Sequence, residues 1–312
     1  ILLFTLCRVI SRRFGLSNAY STIFAVSVVS LNSVTRLINS QPVDIWLAIF
    51  FLLCLYLLNK PNKTGMYFLK LGISFGLLIG VKYSGVLFVG VLALFHYKKV
   101  LKNINLGKLL SLTIPILILG FSWYLRNYAL TGNPMYPGGL FGLEKHPDFM
   151  VQNWYPIVSL LQNPSFSVTF FLALVSEYLI WSVALVIPVL VFYLKRVKRI
   201  TFDKTLMQLA LVGLSNFGVY LFIPSNPGAV VSDVRYLFPS FIPLVLITFL
   251  LANKFNKLRQ LSITAILSAI AVLTQFEYRP KIAFVWLIVM TIFIYNKRSL
   301  LAGTTRRDLK DL

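Results

Sequence analysis

Residues 43–58 read VDIWLAIFFLLCLYLL, a run that contains no charged residue after Asp44. An apolar stretch this continuous is typical of a helix inside a lipid bilayer. Comparable runs recur along the whole chain, which is 58% hydrophobic and only 12% charged, whereas soluble domains carry about 25% charged residues. The sequence therefore predicts an all-α, polytopic membrane helix bundle.

We expect about eleven apolar segments in a single domain spanning residues 1–312, with no soluble domain and no internal repeat. The segments are 1–10, 19–35, 43–58, 66–81, 83–97, 108–125, 166–194, 205–223, 237–252, 261–276 and 281–296. The shorter ones give roughly 24 Å of helix, less than the roughly 30 Å of a hydrocarbon core, so protein is expected to shelter them in part. The first begins at Ile1 without a Met or a basic region, which predicts a truncated span.

The lysines and arginines predict how the chain is oriented. If it crosses the membrane at each segment, 23 of the 30 basic residues fall in one set of loops and 7 in the other. The richer set is cytoplasmic by the positive-inside rule. This places the tail 297–312 in the cytoplasm and the long loop 126–165 on the outer face of an inner or plasma membrane. The basic residues form short clusters between apolar runs, which argues against nucleic-acid binding despite the net charge of +21.

Asp44 stands at the predicted outer end of its segment, directly after Pro42 and Val43. A carboxylate at this place can cap the helix and interact favourably with the helix dipole, and the spacing alone favours that structural role. The alternative is a carboxylate that binds or activates a substrate at the membrane surface. Under this second interpretation Asp44 is the candidate catalytic residue.

Basic residues at other predicted outer ends form a second group of candidates. In three places a basic residue precedes an aromatic or amide residue: Lys82-Tyr83, Arg126-Asn127 and Arg235-Tyr236. Arginine favours bidentate phosphate contacts, which makes the two arginine pairs candidates to bind an anionic headgroup. Lys82 can equally bind such a headgroup, and the residues alone favour neither this role nor its structural alternative. The structural alternatives are a snorkelling anchor for Lys82 and a weak pair between Arg235 and Asp233.

The outer loops hold further ionisable residues. Glu144, His146 and Asp148 lie in the long loop, where the histidine is either an exposed loop residue or a base. Glu177 falls within an apolar segment, where a charge is by default a functional hint. We favour an interfacial helix 166–177 followed by a span 178–194, which brings Glu177 near the surface.

The sequence contains no Rossmann glycine pattern, phosphate-binding loop, Ser-His-Asp order or zinc-ligand spacing. Cys7 and Cys54 lie in separate apolar runs, which predicts neither a disulfide nor a metal site. No cofactor is therefore predicted, and the sequence leaves open whether a divalent metal takes part.

Four stretches, taken in order, carry a family resemblance. They are Pro42-Val43-Asp44 opening an apolar segment, the turn Gly80-Val81-Lys82-Tyr83, the run WYLRNYALTGNPMYP from Trp123 to Pro137, and Arg235-Tyr236-Leu237-Phe238-Pro239. Together they resemble the GT-C glycosyltransferases, in particular bacterial enzymes similar to protein O-mannosyltransferases and lipid A aminoarabinose transferases. The third stretch is the most specific, and the resemblance covers nearly the whole chain in its order of apolar segments.

The resemblance implies an enzyme that transfers a sugar from a polyprenyl-phosphate carrier to an extracytoplasmic lipid, glycan or protein. It implies that Lys82, Arg126 and Arg235 lie near the carrier phosphate and that Asp44 matches a second acidic residue of the family. The main catalytic carboxylate of the family lies in an outer loop that would precede Ile1. We therefore expect residues 1–312 alone to be inactive.

Other classes of membrane protein stay open at this point. A transporter or flippase of lipid-linked sugars is the first, although transporters tend to place charges at the membrane midplane on broken helices. A polymerase or ligase of lipid-linked glycans would share the carrier and the compartment. A structural membrane subunit would need no site at all. The unusual charges of this chain lie at segment ends, which favours an enzyme at the membrane surface.

Overall fold

The computed structural model describes residues 1–37, 43–60, 65–102, 104–136, 155–197, 201–225 and 233–274. They form an all-α bundle, apart from one antiparallel pairing of two short strands, β1 (Tyr155–Pro156) and β2 (Pro224–Ser225). The helices are α1 (Leu2–Arg13), α2 (Asn18–Val29), α3 (Asn32–Leu37), α4 (Val43–Leu58), α5 (Gly65–Val81), α6 (Ser84–Leu101), α7 (Leu106–Pro115), a π-helix (Ile116–Gly120), α8 (Phe121–Thr131), α9 (Ile157–Leu160), α10 (Pro164–Tyr178), a 3-10 helix (Leu179–Val186), α11 (Ile187–Arg196), α12 (Lys204–Leu221), a second 3-10 helix (Val234–Leu237), α13 (Phe238–Lys254) and α14 (Leu258–Thr274).

Each predicted apolar segment up to 261–276 coincides with helix, and 281–296 lies outside the described residues. Within the part of the chain that the structure describes, four helical stretches are long and apolar enough to cross a membrane: Ser84–Leu101, Leu106–Thr131, Pro164–Arg196 and Val234–Lys254. Shorter apolar helices accompany them. The prediction of a helical bundle with membrane-type helices is therefore confirmed, whereas the full number of crossings stays a prediction.

Two predicted segments are interrupted in the structure. The segment 19–35 is divided between α2 and α3, because the polar Ser30 ends the first helix and its hydroxyl donates to the Ser27 carbonyl (3.2 Å). The segment 166–194 breaks at Leu179, whose φ of 51° and ψ of −132° end α10. This conformation is rare for a residue with a side chain. The break falls one residue after the predicted one.

The long loop is shorter than predicted. Helix α8 continues through Arg126 to Thr131 and ends at Gly132, which has a φ of 70°. Glycine adopts this left-handed conformation without a steric penalty and commonly ends helices in this way. The loop therefore begins at residue 132, not 126, and 137–154 lie outside the described residues, as does the tail 297–312.

A glycine stripe on α5 sets the distance to its neighbour. A Cβ atom added at any of three glycines would lie 2.3–2.6 Å from a carbonyl oxygen of the α7 and π-helix backbone, closer than real Cβ atoms come. The contacts are Gly72 with Leu112, Gly76 with Pro115 and Gly80 with Leu119. Small residues at such spacing let membrane helices approach backbone to backbone. The close packing brings the C-terminal end of α5 beside α8.

The two ends of the bundle differ in their charges. Helix α4 runs from Asp44 towards Asn59, and α6 runs from near Lys82 to Lys99. Asp44 and Lys82 therefore lie at one end of the bundle, and Asn59 and Lys99 lie at the other. At one end, basic residues of the predicted cytoplasmic set bind polar groups: Arg13 the Asn59 carbonyl, Lys99 the Gln208 side chain and Lys254 the Thr201 carbonyl. Charged residues of the predicted outer set gather at the other end. Charged residues of the predicted cytoplasmic set and of the predicted outer set therefore lie at opposite ends of the bundle, as expected for a chain that crosses a membrane repeatedly. Which end faces outward stays a prediction.

Candidate functional site

Asp44 is the centre of an ion cluster at the end of the bundle opposite Lys99. It lies in the first turn of α4, and its side chain is only 2% exposed. Lys82 Nζ lies 2.7 Å from its Oδ1 and Arg235 Nε lies 2.9 Å from its Oδ2. Both carboxylate oxygens are therefore paired with cations that come from distant parts of the sequence.

Lys82 is held from two sides. It lies in the tight turn between α5 and α6, with its Nζ 2.7 Å from Asp44 and 3.3 Å from the centre of the Tyr236 ring. Burial lowers the pKa of the Lys82 ammonium below its ordinary value, although the charge of Asp44 opposes this effect. The ion pair and the aromatic face both favour the protonated form, as a cation–π contact does.

Arg235 enters the site from the 3-10 helix that precedes α13. Its side chain is 16% exposed, and its guanidinium lies 5.4 Å from the Tyr236 ring centre. The neighbouring Asp233 is buried and accepts a hydrogen bond from the Ser225 hydroxyl (2.6 Å), which joins the loop end at β2 to this helix. Arg235 pairs with Asp44, so the sequence-based alternative of an exposed pair with Asp233 does not describe its main partner.

A second ion pair lies beside the first. Glu177, at the end of α10, has its Oε1 3.2 Å from Arg36 Nη1 at the end of α3. The next residue, Tyr178, donates to the Val234 carbonyl (2.8 Å), which ties the end of α10 to the helix that carries Arg235. Arg235 is close enough for its charge to act on Glu177 as well. Arg36 was not among the predicted site residues, although it is a lone arginine at a predicted outer end.

Tyr83 and Asn127 join the Lys82 turn to α8. The Tyr83 hydroxyl donates to the Tyr136 carbonyl, and Asn127 Nδ2 donates to that carbonyl (2.9 Å) and to the Tyr83 oxygen (2.8 Å). The Tyr83 ring also packs edge-on against Tyr124, with 5.4 Å between centres. Both predicted binding residues thus hold the backbone that follows Gly132 against the turn.

Arg126 lies apart from this cluster. Tyr124 and Asn127 face inward from α8, whereas Arg126 is exposed on another face, with its guanidinium 4.9 Å from the ring centre of Trp123. An exposed arginine stacked on tryptophan is typical of the membrane–water boundary. The structure therefore brings Asp44, Lys82 and Arg235 together but does not bring Arg126 to them.

Glu144, His146 and Asp148 lie outside the described residues. Among the residues that the structure describes, no three His, Cys, Asp or Glu side chains come close enough to hold a metal ion. Cys7 and Cys54 are buried free thiols.

Within the described residues the cluster contains three acids and three bases. The acids are Asp44, Glu177 and Asp233, and the bases are Arg36, Lys82 and Arg235. Buried charges are costly unless they are paired. An anionic ligand that entered would share Lys82 and Arg235 with Asp44.

No family model, curated protein or solved structure matches this chain.

Proposed function

We propose that this protein is a GT-C-type glycosyltransferase of about eleven membrane segments that transfers a sugar from a polyprenyl-phosphate carrier to an extracytoplasmic acceptor. The observation that carries the proposal is the convergence of Asp44, Lys82 and Arg235. The family resemblance implied a carboxylate and phosphate-binding cations at these positions, which lie far apart in the sequence. Their direct contact supports one shared site.

The surroundings of the cluster suit a lipid-linked ligand. Such a donor has an apolar tail, a phosphate at the level of the headgroups and a polar sugar beyond it. The cluster lies where helices begin and end, and α8 lies beside its Lys82 turn. In the most apolar 18-residue part of Leu106–Thr131 only 11% of the residues are buried, whereas in that of Val234–Lys254 78% are buried. The exposed apolar face of α7 and α8 is suited to lipid, and the cations are suited to the phosphate.

Lys82 and Arg235 would stabilise the phosphate as it leaves. When the bond between the sugar and the phosphate breaks, negative charge develops on the phosphate oxygen, and fixed cations lower the energy of that transition state. Asp44 would hold both cations at the right distance before the donor arrives. The chemistry needs no nucleotide, in keeping with the absence of phosphate-binding loops from the sequence.

A flippase or transporter of the same lipid is the second candidate. The broken helix at Leu179, beside the buried Glu177, favours it, because transporters often place charges at helix breaks. The ion cluster, however, is built from helix ends and one tight turn, and transporter sites are typically near the midplane. We therefore favour the transferase.

The test is a transfer assay with the protein in its full encoded length in nanodiscs. Polyprenyl-phosphate hexoses and pentoses with radiolabelled sugars would be offered with native membrane acceptors, with and without EDTA. We expect label to move from the carrier to an acceptor without any nucleotide. Movement of intact labelled lipid between leaflets, without transfer, would support the flippase instead.

Substitutions of Arg235 and Arg126 are expected to differ in their effect on donor binding. We expect Arg235→Gln to weaken binding of the labelled donor roughly tenfold or more, the value for a lost charged contact of about 1.5–3 kcal/mol. Arg126→Gln is the matched control, since it removes the same group from the exposed face of α8. Equal effects of the two substitutions would contradict the proposed site.

A further inference from the structure

The 3-10 helix that carries Arg235 is too short to fix its own direction. It comprises only the four residues Val234–Leu237. The hydrogen-bond geometry of a 3-10 helix is poorer than that of an α-helix, and a single helical turn is not stable by itself. Arg235 approaches Asp44 with its Nε at 2.9 Å, so the direction of its side chain depends on contacts that other elements make with this helix.

Tyr178 supplies such a contact at the peptide bond directly before Arg235. Its hydroxyl donates a hydrogen bond of 2.8 Å to the Val234 carbonyl oxygen. That oxygen and the Arg235 backbone nitrogen belong to one planar peptide group, so a fixed oxygen fixes the plane from which the Arg235 side chain starts. A long side chain amplifies any tilt at its base. The hydrogen bond therefore affects where the guanidinium lies.

The Tyr178 ring is itself held in place by packing. The side chain is fully buried, and its ring stacks on Phe241 with 3.7 Å between centres and 9° between planes. It also meets Phe238 edge-on, with 6.3 Å between centres. Both phenylalanines belong to the start of α13, which directly follows the helix of Arg235. Tyr178 therefore contacts the short helix and the start of α13 together.

The end of α10 that carries Tyr178 is also anchored to α3. The Ser176 carbonyl accepts a hydrogen bond from Asn32 Nδ2 (3.3 Å), and the carboxylate of Glu177 lies 3.2 Å from Arg36 Nη1. Three consecutive residues thus fix this helix end, two to α3 and one to the backbone before the arginine of the site.

We propose that Tyr178 is a positioning residue of the donor site, which acts through the Val234 carbonyl to hold the Arg235 guanidinium where the carrier phosphate binds. This inference rests on the proposed function, in which Lys82 and Arg235 bind that phosphate. In the structure Asp44 also holds Arg235. A bound phosphate would share Arg235 with Asp44, whereas the hydrogen bond from Tyr178 is to the backbone and keeps its partner when the donor binds.

The test measures the binding of radiolabelled polyprenyl phosphate to the full-length protein in nanodiscs. Tyr178→Phe keeps the stacked ring and removes only the hydroxyl. Tyr220→Phe is the matched control, because Tyr220 is equally buried but its hydroxyl has no hydrogen-bond partner among the described residues. We expect Tyr178→Phe to weaken binding about three- to tenfold, the effect of one lost hydrogen bond between uncharged groups. Tyr220→Phe should stay within about twofold of the wild type, since it breaks no such bond.

Two further measurements distinguish positioning of Arg235 from a general loss of structure. Radiolabelled polyprenol has the same chain without the phosphate, and Tyr178→Phe should bind it as well as the wild type does. In a double-mutant cycle, Tyr178→Phe should have no further effect on polyprenyl phosphate binding in the Arg235→Gln background, because the group that it positions is absent.

Unchanged binding of polyprenyl phosphate by Arg235→Gln would overturn the proposed phosphate site and this inference with it. If Arg235→Gln weakens binding but Tyr178→Phe behaves like the Tyr220→Phe control, this inference alone is wrong. It is also wrong if Tyr178→Phe weakens polyprenol binding, or weakens polyprenyl phosphate binding equally with and without Arg235. The hydroxyl would then stabilise the fold rather than position the guanidinium.

Discussion

Replacing Asp44 with asparagine should destabilise the fold, because it leaves two cations close together without their carboxylate. Breaking a buried ion pair by removing one partner costs about 3–5 kcal/mol. Lys82 and Arg235 retain 26% and 16% exposure, so solvent reduces the penalty, and we expect about 2–3 kcal/mol. At roughly 2 °C per kcal/mol for a chain of this size, the melting temperature should fall by about 4–6 °C.

The two cysteines provide the assay. Cys7 and Cys54 are buried free thiols, so a thiol-reactive fluorophore reports unfolding in detergent or nanodiscs. Asp203→Asn is the matched control, and it should change the melting temperature little because asparagine and aspartate cap helices equally well. Adding Lys82→Met to Asp44→Asn should recover part of the loss, since one orphaned cation is removed. If Asp44→Asn melts like the control, or if the double variant is no more stable than the single one, the ion cluster does not hold these helices together.

Three further predictions follow from single contacts. Only the protonated Lys82 attracts phosphate, and burial lowers its pKa below the ordinary 10.5, so donor affinity should fall as the pH rises and should be lost at a lower pH than an exposed lysine would give. Lys82→Arg should abolish that fall in a binding titration, and an unchanged slope would contradict it. Gly76→Val should lower the melting temperature by several degrees, because the added side chain clashes with the Pro115 carbonyl at a cost of typically about 1–3 kcal/mol. Gly90→Val is the control and should not lower it, because a Cβ atom added there has no neighbouring atom within 4 Å. Equal effects of the two substitutions would exclude close packing as the cause. Tyr83→Phe removes the hydroxyl that joins the Lys82 turn to the chain after α8. It should increase protease cleavage near residue 136 without changing donor affinity. Unchanged cleavage would contradict the structural role of this hydroxyl.

The sequence predicts the helices well because their signal is local. Apolar runs locate the segments, and the distribution of lysine and arginine separates their ends, as Asp44 in the first turn of α4 and Lys60 just beyond its last residue illustrate. Even the break beside Glu177 follows from the position of one charge in an apolar run. These inferences require only neighbouring residues and the properties of a bilayer.

The partners within the site could not be predicted in the same way. Arg126 and Arg235 both stand at predicted outer ends, and only the rotation of α8 shows that Arg126 faces away from Asp44. That rotation depends on inward packing of Tyr124 and Asn127 and on the glycine stripe of α5, which are tertiary features. Arg36 was overlooked because its partner Glu177 lies far away in the sequence.

The pairing of Asp44 also limits the stereochemistry of the proposed reaction. A retaining transfer with an enzyme nucleophile requires a carboxylate with a free oxygen to attack the anomeric carbon, as in retaining glycosidases. Both oxygens of Asp44 are within 3 Å of a cation, so neither is free to attack the anomeric carbon. Direct attack by the acceptor would instead invert the anomeric centre in a single displacement. We therefore expect the product to carry the opposite anomeric configuration to the donor, as measured by the anomeric proton coupling in NMR of the isolated product. Retention would mean that a carboxylate does attack the sugar and that the ion cluster around Asp44 opens during the reaction.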